Sequence, residues 1–230
     1  MRGFRVPTDF VDGVRSMLPL LLGLLPFGLV TGVAAIDAGL SPLQAMGLSL
    51  VVFAGASQLA AVELLAEDAP LAVVVLTATV INLRMSMYSA SIAPYFESLQ
   101  RRWRATCAYF LTDMSYALAI DEFVAESETD RRWYYLGAAG AIWAVWQAAT
   151  VAGIVLGAGI PPGWNVGFAV PLVFLALLVP RLTDRPHLVA ALVGGGVAVA
   201  GAGLPLNLGL LLGAIAGVLA GLLADRGSAA

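Results

Sequence analysis

Apolar residues run along this chain in long blocks, separated by a few charges or by proline and glycine. The blocks are Ser16–Ile36, Leu43–Leu65, Pro70–Ala93, Ala105–Ile120, Trp133–Gly157, Val166–Val179, Leu188–Ala200 and Leu206–Leu223. A helix spans a bilayer with about 20 mostly apolar residues. The pattern therefore predicts an all-α, polytopic membrane bundle of about seven or eight transmembrane segments, some broken or re-entrant. Val166–Val179 and Leu188–Ala200 have only 14 and 13 residues and read as tilted neighbours, half-helices or a re-entrant pair. Ahead of the first block, Thr8 is positioned to cap a short helix holding Phe10, Val11 and Val14. The predicted organisation is an interfacial segment over 1–15, one transmembrane domain over 16–223 and a short tail over 224–230. The first block resembles a signal sequence at its start, but it is long, carries Pro19 and Pro26 and precedes many similar blocks. It reads as retained.

Composition agrees with a lipid-facing exterior. Of 230 residues, 60% are apolar and 12% charged, and mean hydropathy is +0.89. A soluble fold of this size cannot hide that much apolar surface. A single cysteine, Cys107, excludes an internal disulfide, and a formal charge of −3 without a basic stripe gives no footprint for nucleic acid. There is no phosphate-binding glycine loop, dinucleotide motif or Cys/His metal spacing. Neither a cofactor nor a metal is expected, and energy must come from a gradient or another subunit.

Arginine bias sets orientation. Eight crossings with the N-terminus inside place Arg2, Arg5, Arg15, Arg131, Arg132, Arg181, Arg185 and Arg226 inside, and Arg101, Arg102 and Arg104 outside. That last cluster contradicts the scheme. A re-entrant early segment would move it inside, at the expense of the later loops. The acidic stretch Asp121–Arg132 reads as a solvated loop.

Polar residues inside apolar blocks are expensive in lipid and mark functional positions. Four places stand out. In PLLLGLLPFGLVTG, Pro26 removes a backbone donor, so a kink or break is expected near Gly23–Gly28, with Pro26 and Phe27 beside freed backbone groups. In FAGASQLAAVEL, Gly55 permits close backbone approach, while Ser57 and Gln58 offer hydrogen bonds. In VINLRMSMYSASIAPY, Asn82, Ser86 and Ser89 share one helical face, and Arg84, Tyr88, Ser91 and Tyr95 an adjacent one. The Arg84 guanidinium suits a carboxylate, or it pairs structurally with Asp113 or Glu63. In YFLTDMSYAL, Asp113 sits at the midpoint of its block, next to Thr112, Ser115 and Tyr116. Desolvation and a cationic partner act oppositely on a carboxylate, so Asp113 and Tyr116 are candidates for proton coupling. Gly209, Gly213, Gly217 and Gly221 recur every four residues and form a helix-packing stripe. Trp103, Trp133, Tyr134, Tyr135 and Trp164 read as interface anchors.

These four segments, together with FAVPLVFLALLVPRLTDRPHLVAALVGG, resemble the AzlC family, the large subunit of branched-chain amino-acid exporters. The likeness runs from about residue 14 to 223. Members often carry a histidine after the NLR and an acidic residue after the LTD, where this chain has Met85–Ser86 and Met114. The resemblance implies a multi-pass protein of the cytoplasmic membrane that exports valine-like amino acids on the proton gradient. It also implies a small four-helix partner of the AzlD type, alongside possible homo-oligomers. The substrate-binding candidates are then Pro26, Phe27, Gly55, Ser57, Gln58, Asn82, Arg84, Tyr88 and Ser89. The residues alone leave open a passive channel, a carrier for another small solute, a structural subunit whose partner carries the pathway, or an intramembrane hydrolase using Ser57 or Asp113. The last would need a base, and the one histidine, His187, stands at a charged helix start.

Overall fold

The fold was analysed in a computed structural model, which describes residues 7–125, 129–159, 175, 178, 179, 182–204 and 208–228. Among these residues there are nine α-helices and no strands. The chain forms two compact units, Met1–Val170 and Pro171–Ala230, and each is described by itself. The sequence predicts one domain over 16–223.

The first unit is built on a pair of long helices, α1 (Thr8–Asp37) and α7 (Arg131–Ala158). Glycines bring their backbones into contact. A Cβ placed on Gly13, Gly32, Gly137 or Gly153 would strike the carbonyl oxygen of Tyr134, Thr150, Phe10 or Leu29 respectively, and one on Gly28 would lie 2.8 Å from the Ala149 Cβ. Residue numbers rise together along this seam, so α1 and α7 run parallel. Their shared N-terminal end carries Phe10 edge-on to Trp133, and their shared C-terminal end carries Ile36 and Val33 against Gly157.

Two helical hairpins enter this frame from opposite ends. The first is α2 (Pro42–Val52) followed by α3 (Gly55–Ala66). Gly39, at φ 82°, supplies the left-handed turn after α1. Ser41 and Gln44 then close a capping box and Pro42 opens α2. Ala45 of α2 and Val62 of α3 pack together with Ala35 and Ile154, at the C-terminal end of the frame. The turn between the helices lies deeper. Gly55 fits between Phe27 and Trp146, eight residues back along both long helices, or about 12 Å of rise. The chain thus goes in along α2 and returns along α3.

Helix α4 (Leu71–Ile92) carries the chain to the other end, where a 3₁₀ turn (Ala93–Phe96) leads to the second hairpin, α5 (Arg101–Tyr109) and α6 (Asp113–Val124). Trp103 at the start of α5 meets Trp133, and Phe123 near the end of α6 meets Tyr95 and Phe96. Both ends of this hairpin therefore lie where α7 begins. Its turn reaches Trp143, ten residues along α7, through Phe110 and Tyr109. The unit α1 plus hairpin is thus repeated, upside down, by α4 plus hairpin.

Several expectations change. Leu43–Leu65 and Ala105–Ile120 are hairpins and not crossings, because each is interrupted where a residue leaves helical geometry. Phe53 is left-handed (φ 36°, ψ 43°) and Thr112 is extended. Among the described residues of this unit, three helices are long and apolar enough to span: Thr8–Asp37, Leu71–Phe96 and Arg131–Ala158. Arg15, Arg101, Arg102, Arg104, Arg131 and Arg132 then share one end, while Asp37, Glu67 and Asp68 lie at the other. The contradiction posed by Arg101–Arg104 disappears. No break occurs near Gly23–Gly28, since α1 is continuous through Pro19 and Pro26. Residues 8–15 are its first turns and not a separate segment. Thr8 is helical and the cap position is Pro7, without a side-chain bond. Tyr134 and Tyr135 are core residues and not lipid-facing anchors; the Tyr135 hydroxyl donates to the Cys107 carbonyl at 2.9 Å. Trp164 lies outside the described residues, as does nearly all of Val166–Val179.

The second unit contains α8 (Arg185–Ala200) and α9 (Leu208–Ser228). Asp184 caps α8 by accepting from the His187 backbone N–H at 3.0 Å, and its carboxylate also meets His187 Nδ1 at 2.6 Å. That backbone bond, and then the ring contact, hold the Asp184 carboxyl below its ordinary value. Gly209, Gly213, Gly217 and Gly221 face α8: Gly209 meets Gly201, Gly213 meets Gly194 and Ala198, and Gly217 and Gly221 meet Ala190. The order reverses, so this pair is antiparallel.

Two measurements test the architecture. Gly153→Leu should destabilise the protein by about 3 kcal/mol or more, since the intruding atoms meet backbone; thermal unfolding in detergent measures this, and wild-type behaviour would refute the seam. In a Cys107→Ser background, cysteines at 101 and 131 should be labelled by an impermeant thiol reagent from the same side of sealed vesicles. Labelling from opposite sides would restore α5–α6 as a crossing.

Candidate functional site

The two hairpin turns meet at mid-depth. Phe53 stacks on Tyr109 with ring centroids 6.1 Å apart, and the Tyr109 hydroxyl donates to the Leu50 carbonyl at 2.9 Å. Trp143 Nε1 donates to the same hydroxyl at 3.2 Å. A left-handed phenylalanine costs roughly 1–2 kcal/mol, and the stack on Tyr109 is what holds it. Leu50 lies in the last turn of α2, where carbonyls lack helical partners, so Tyr109 satisfies one across the hairpins.

Each returning helix begins at this level, and the two beginnings differ. Helix α6 is fully capped: Thr112 Oγ1 accepts from the Ser115 N–H at 3.2 Å, and Ser115 Oγ accepts from the Thr112 N–H at 2.8 Å. Its first residue is Asp113, a carboxylate at the positive end of a helix. Helix α3 follows Ala54, which has no capping side chain.

On the α4 side of these turns lie most of the sequence-predicted polar residues. Ser57 Oγ sits 2.9 Å from the Ala54 carbonyl and 3.1 Å from Asn82 Oδ1, two acceptors for one hydroxyl proton. Arg84 Nη1 lies 4.0 Å from Asp113 Oδ2, while its Nε is buried without a partner. Tyr88 stacks on Tyr116 at 4.7 Å, and the Tyr116 hydroxyl shares a 2.9 Å hydrogen bond with Ser91. The stripe Arg84–Tyr88–Ser91–Tyr95 therefore faces α6. The Asn82 stripe does not stay together: Asn82 meets Ser57, but Ser86 and Ser89 are exposed. Pro26 is also on an exposed face of α1, away from this cluster. Phe27, Gly55 and Gln58 belong to the opposite side of α3, toward α1 and α7. Phe27 is edge-on to Trp146 at 5.4 Å.

That side holds polar residues the sequence reading missed. Ser49, Gln147 and Thr150 are buried. Trp146 Nε1 donates to Ser49 Oγ at 3.1 Å, and Ser49 Oγ donates to Gln147 Oε1 at 3.0 Å. The signal was present, because Gln147 and Thr150 interrupt the apolar block Trp133–Gly157 as Gln58 interrupts its own.

The Tyr109 hydroxyl joins three elements. Tyr109→Phe should keep the ring stack and lose about 1 kcal/mol per hydrogen bond, lowering the unfolding midpoint. An unchanged midpoint would mean that the hydroxyl does not tie the turns.

With this geometry in place, similarity to known proteins becomes informative. The AzlC protein family matches over residues 19–160, which closely follows the first unit. The chain is 29% identical over 210 residues to the inner membrane protein YgaZ of Escherichia coli K12, covering 86% of this chain and 84% of that one. It is 32% identical over 195 residues to an uncharacterised membrane protein of Archaeoglobus fulgidus, covering 83% and 84%. It is also 33% identical to a Helicobacter pylori membrane protein, over 47% of each chain. No solved structure matches it. A family match from within α1 to the end of α7, taking in both hairpins, with two relatives aligned over more than four-fifths of their length, makes this chain a membrane protein of the AzlC family.

Proposed function

We propose that this protein is a secondary carrier that exports small apolar amino acids, of the branched-chain kind, across the cytoplasmic membrane on the proton gradient. The observation that supports this most is the meeting of two inverted hairpins at mid-depth beside an intramembrane ion pair. Carriers use helix breaks at this depth, where half-helix ends recognise the charged groups of a solute. An ion pair inside the membrane is costly unless it works or is fully partnered, and Arg84–Asp113, at 4.0 Å, is loosely closed. The arginine-rich end, from Arg15 to Arg132, faces the cytoplasm under the positive-inside bias.

In this reading Asp113 carries the coupling proton, and Arg84 competes with it. Tyr116 and Tyr88 line the same passage, and Ser57 and Asn82 mark its border with α3. The Arg84 guanidinium and a substrate ammonium compete for the same Asp113 carboxylate. Apolar side chains supply the remaining contact, and one methylene changes discrimination by only about 1–3 kcal/mol. The lipid bilayer surrounds the bundle, and a small AzlD-type membrane subunit and a homo-oligomer are the proposed assemblies.

The test is counterflow of labelled valine and leucine in vesicles, with and without an imposed pH gradient. Asp113→Asn should fold and abolish gradient-driven transport, because asparagine keeps the shape and loses the titration. Arg84→Lys should retain part of it, since an ammonium lacks the planar fork. Full gradient-driven export by Asp113→Asn, with an unchanged pH profile, would remove this residue from coupling.

A further inference from the structure

The side of α3 that faces α1 and α7 contains buried hydrogen-bonding atoms with nothing to bond. Gln58 is 0% exposed, Thr150 0% and Gln147 7%. Both amide atoms of Gln58, the Gln147 Nε2 and the Thr150 Oγ1 have no partner. Leaving such groups unmade costs about 1–3 kcal/mol each, so a set of them in one place calls for a reason.

Helical spacing brings them together. Gly55 faces Phe27 and Trp146, and Val62 faces Ala35 and Ile154. Gln58 lies three residues after the first and four before the second, on the same face of α3. It therefore stands between the levels of Trp146 and Ile154 on α7, which is the stretch holding Gln147 and Thr150. Side chains on a helix lean toward its N-terminus, so the Gln58 amide reaches back over the first turn of α3. That turn is the uncapped one.

Hydrogen-bond logic fixes the character of the cluster. The indole N–H of Trp146 can only donate, so Ser49 Oγ accepts from it and gives its own proton to Gln147 Oε1. The Gln147 carbonyl is thereby engaged, and its NH₂ group is turned to the unpartnered side. The unpartnered set is then two amide NH₂ groups, one hydroxyl and one amide carbonyl, that of Gln58, at the levels that spacing places beside the positive end of a twelve-residue helix, with no carboxylate among them. Donors predominate, and their complement is an anion. Arg84, the other donor at this depth, already faces Asp113.

We propose that Gln58, Gln147 and Thr150, at the N-terminus of α3, form the binding site for a carboxylate group, which is the carboxylate of the transported amino acid. The assignment to substrate rests on the carrier function proposed above; the anion site does not. Solvent reaches almost none of these side chains, so the site is occluded and the α2–α3 hairpin must part from α1 and α7 to load it.

The experiment measures binding to the purified full chain in nanodiscs by tryptophan fluorescence, with a Trp146→Phe control. The probes are L-valine, valinamide, which lacks the carboxylate, and isovalerate, which lacks the ammonium. Valine and isovalerate should bind saturably and valinamide at least tenfold more weakly. Gln58→Leu and Gln147→Leu should each weaken both carboxylates about tenfold or more and erase the preference over valinamide. Gln58→Met serves if the leucine variant misfolds, as judged by helical circular dichroism. Equal binding of valine and valinamide, no carboxylate binding at all, or wild-type binding by the glutamine variants would overturn the site. Isovalerate binding without valine counterflow would support the site and defeat the amino-acid reading. Valine counterflow unaffected by both glutamine substitutions would do the reverse.

Discussion

The backbone contact between α1 and α7 is the constraint on which the first unit depends. Lipid offers no hydrophobic drive to push one apolar helix onto another, so association relies on close packing. Glycines at 13 and 32 on one helix and at 137 and 153 on the other let carbonyls sit where side chains would be, and Gly28 and Gly157 make room for the Ala149 and Ile36 side chains. The seam runs nearly the full length of both helices, so it fixes their direction as well as their distance. Everything else hangs from it: Phe27 and Trp146 create the slot that Gly55 fills, and Trp143 receives the Tyr109–Phe110 turn.

Given that frame, two hairpins can reach mid-depth without leaving their turns stranded in lipid. A non-helical backbone is tolerated at that depth only where protein or water covers it. Here each turn covers the other. Phe53 lies on Tyr109, and the Tyr109 hydroxyl takes up a loose carbonyl of α2. The inverted arrangement follows from chain direction, because α4 runs back from the end that admits the first hairpin to the end that admits the second. Arginine placement agrees with it. All described arginines of this unit other than Arg84 lie at the end entered by α5 and α6.

Much of this was legible in the sequence. The long apolar blocks located α4 and α7 to within two residues and the end of α1 to within one, though α1 begins eight residues before its block, and helical spacing put Arg84, Tyr88, Ser91 and Tyr95 on one face, the face that meets α6. The hairpins were not legible, because hydropathy measures length and not direction. Leu43–Leu65 is long enough to cross, and nothing apolar in FAGAS says that the chain turns back. The one discordant sign was the Arg101–Arg104 cluster, which no scheme of eight full crossings accommodates. Pro26 misled in the opposite sense. A proline removes one hydrogen bond, but on the outward face of α1 its ring displaces nothing, and the glycine seam on the other face holds the helix through it. Ser49, Gln147 and Thr150 were hidden by a different effect, since each is mild alone and their importance comes from the partners that other helices bring.

The two hairpins repeat in shape but differ in charge and capping where their returning helices begin. At the start of α6 the backbone donors are satisfied by Thr112 and Ser115, and Asp113 opposes the helix dipole. At the start of α3 the corresponding cap is alanine, the first residue is glycine, and nearby amides lack partners. A symmetric pair would give both turns equal affinity for the same ion. This pair presents one turn without a capping side chain and one that carries a carboxylate, joined through Tyr109. Each hairpin enters from a different end of the α1–α7 frame, and the Tyr109 hydroxyl, bonded to the Leu50 carbonyl and the Trp143 indole, ties the two turns to each other and to α7.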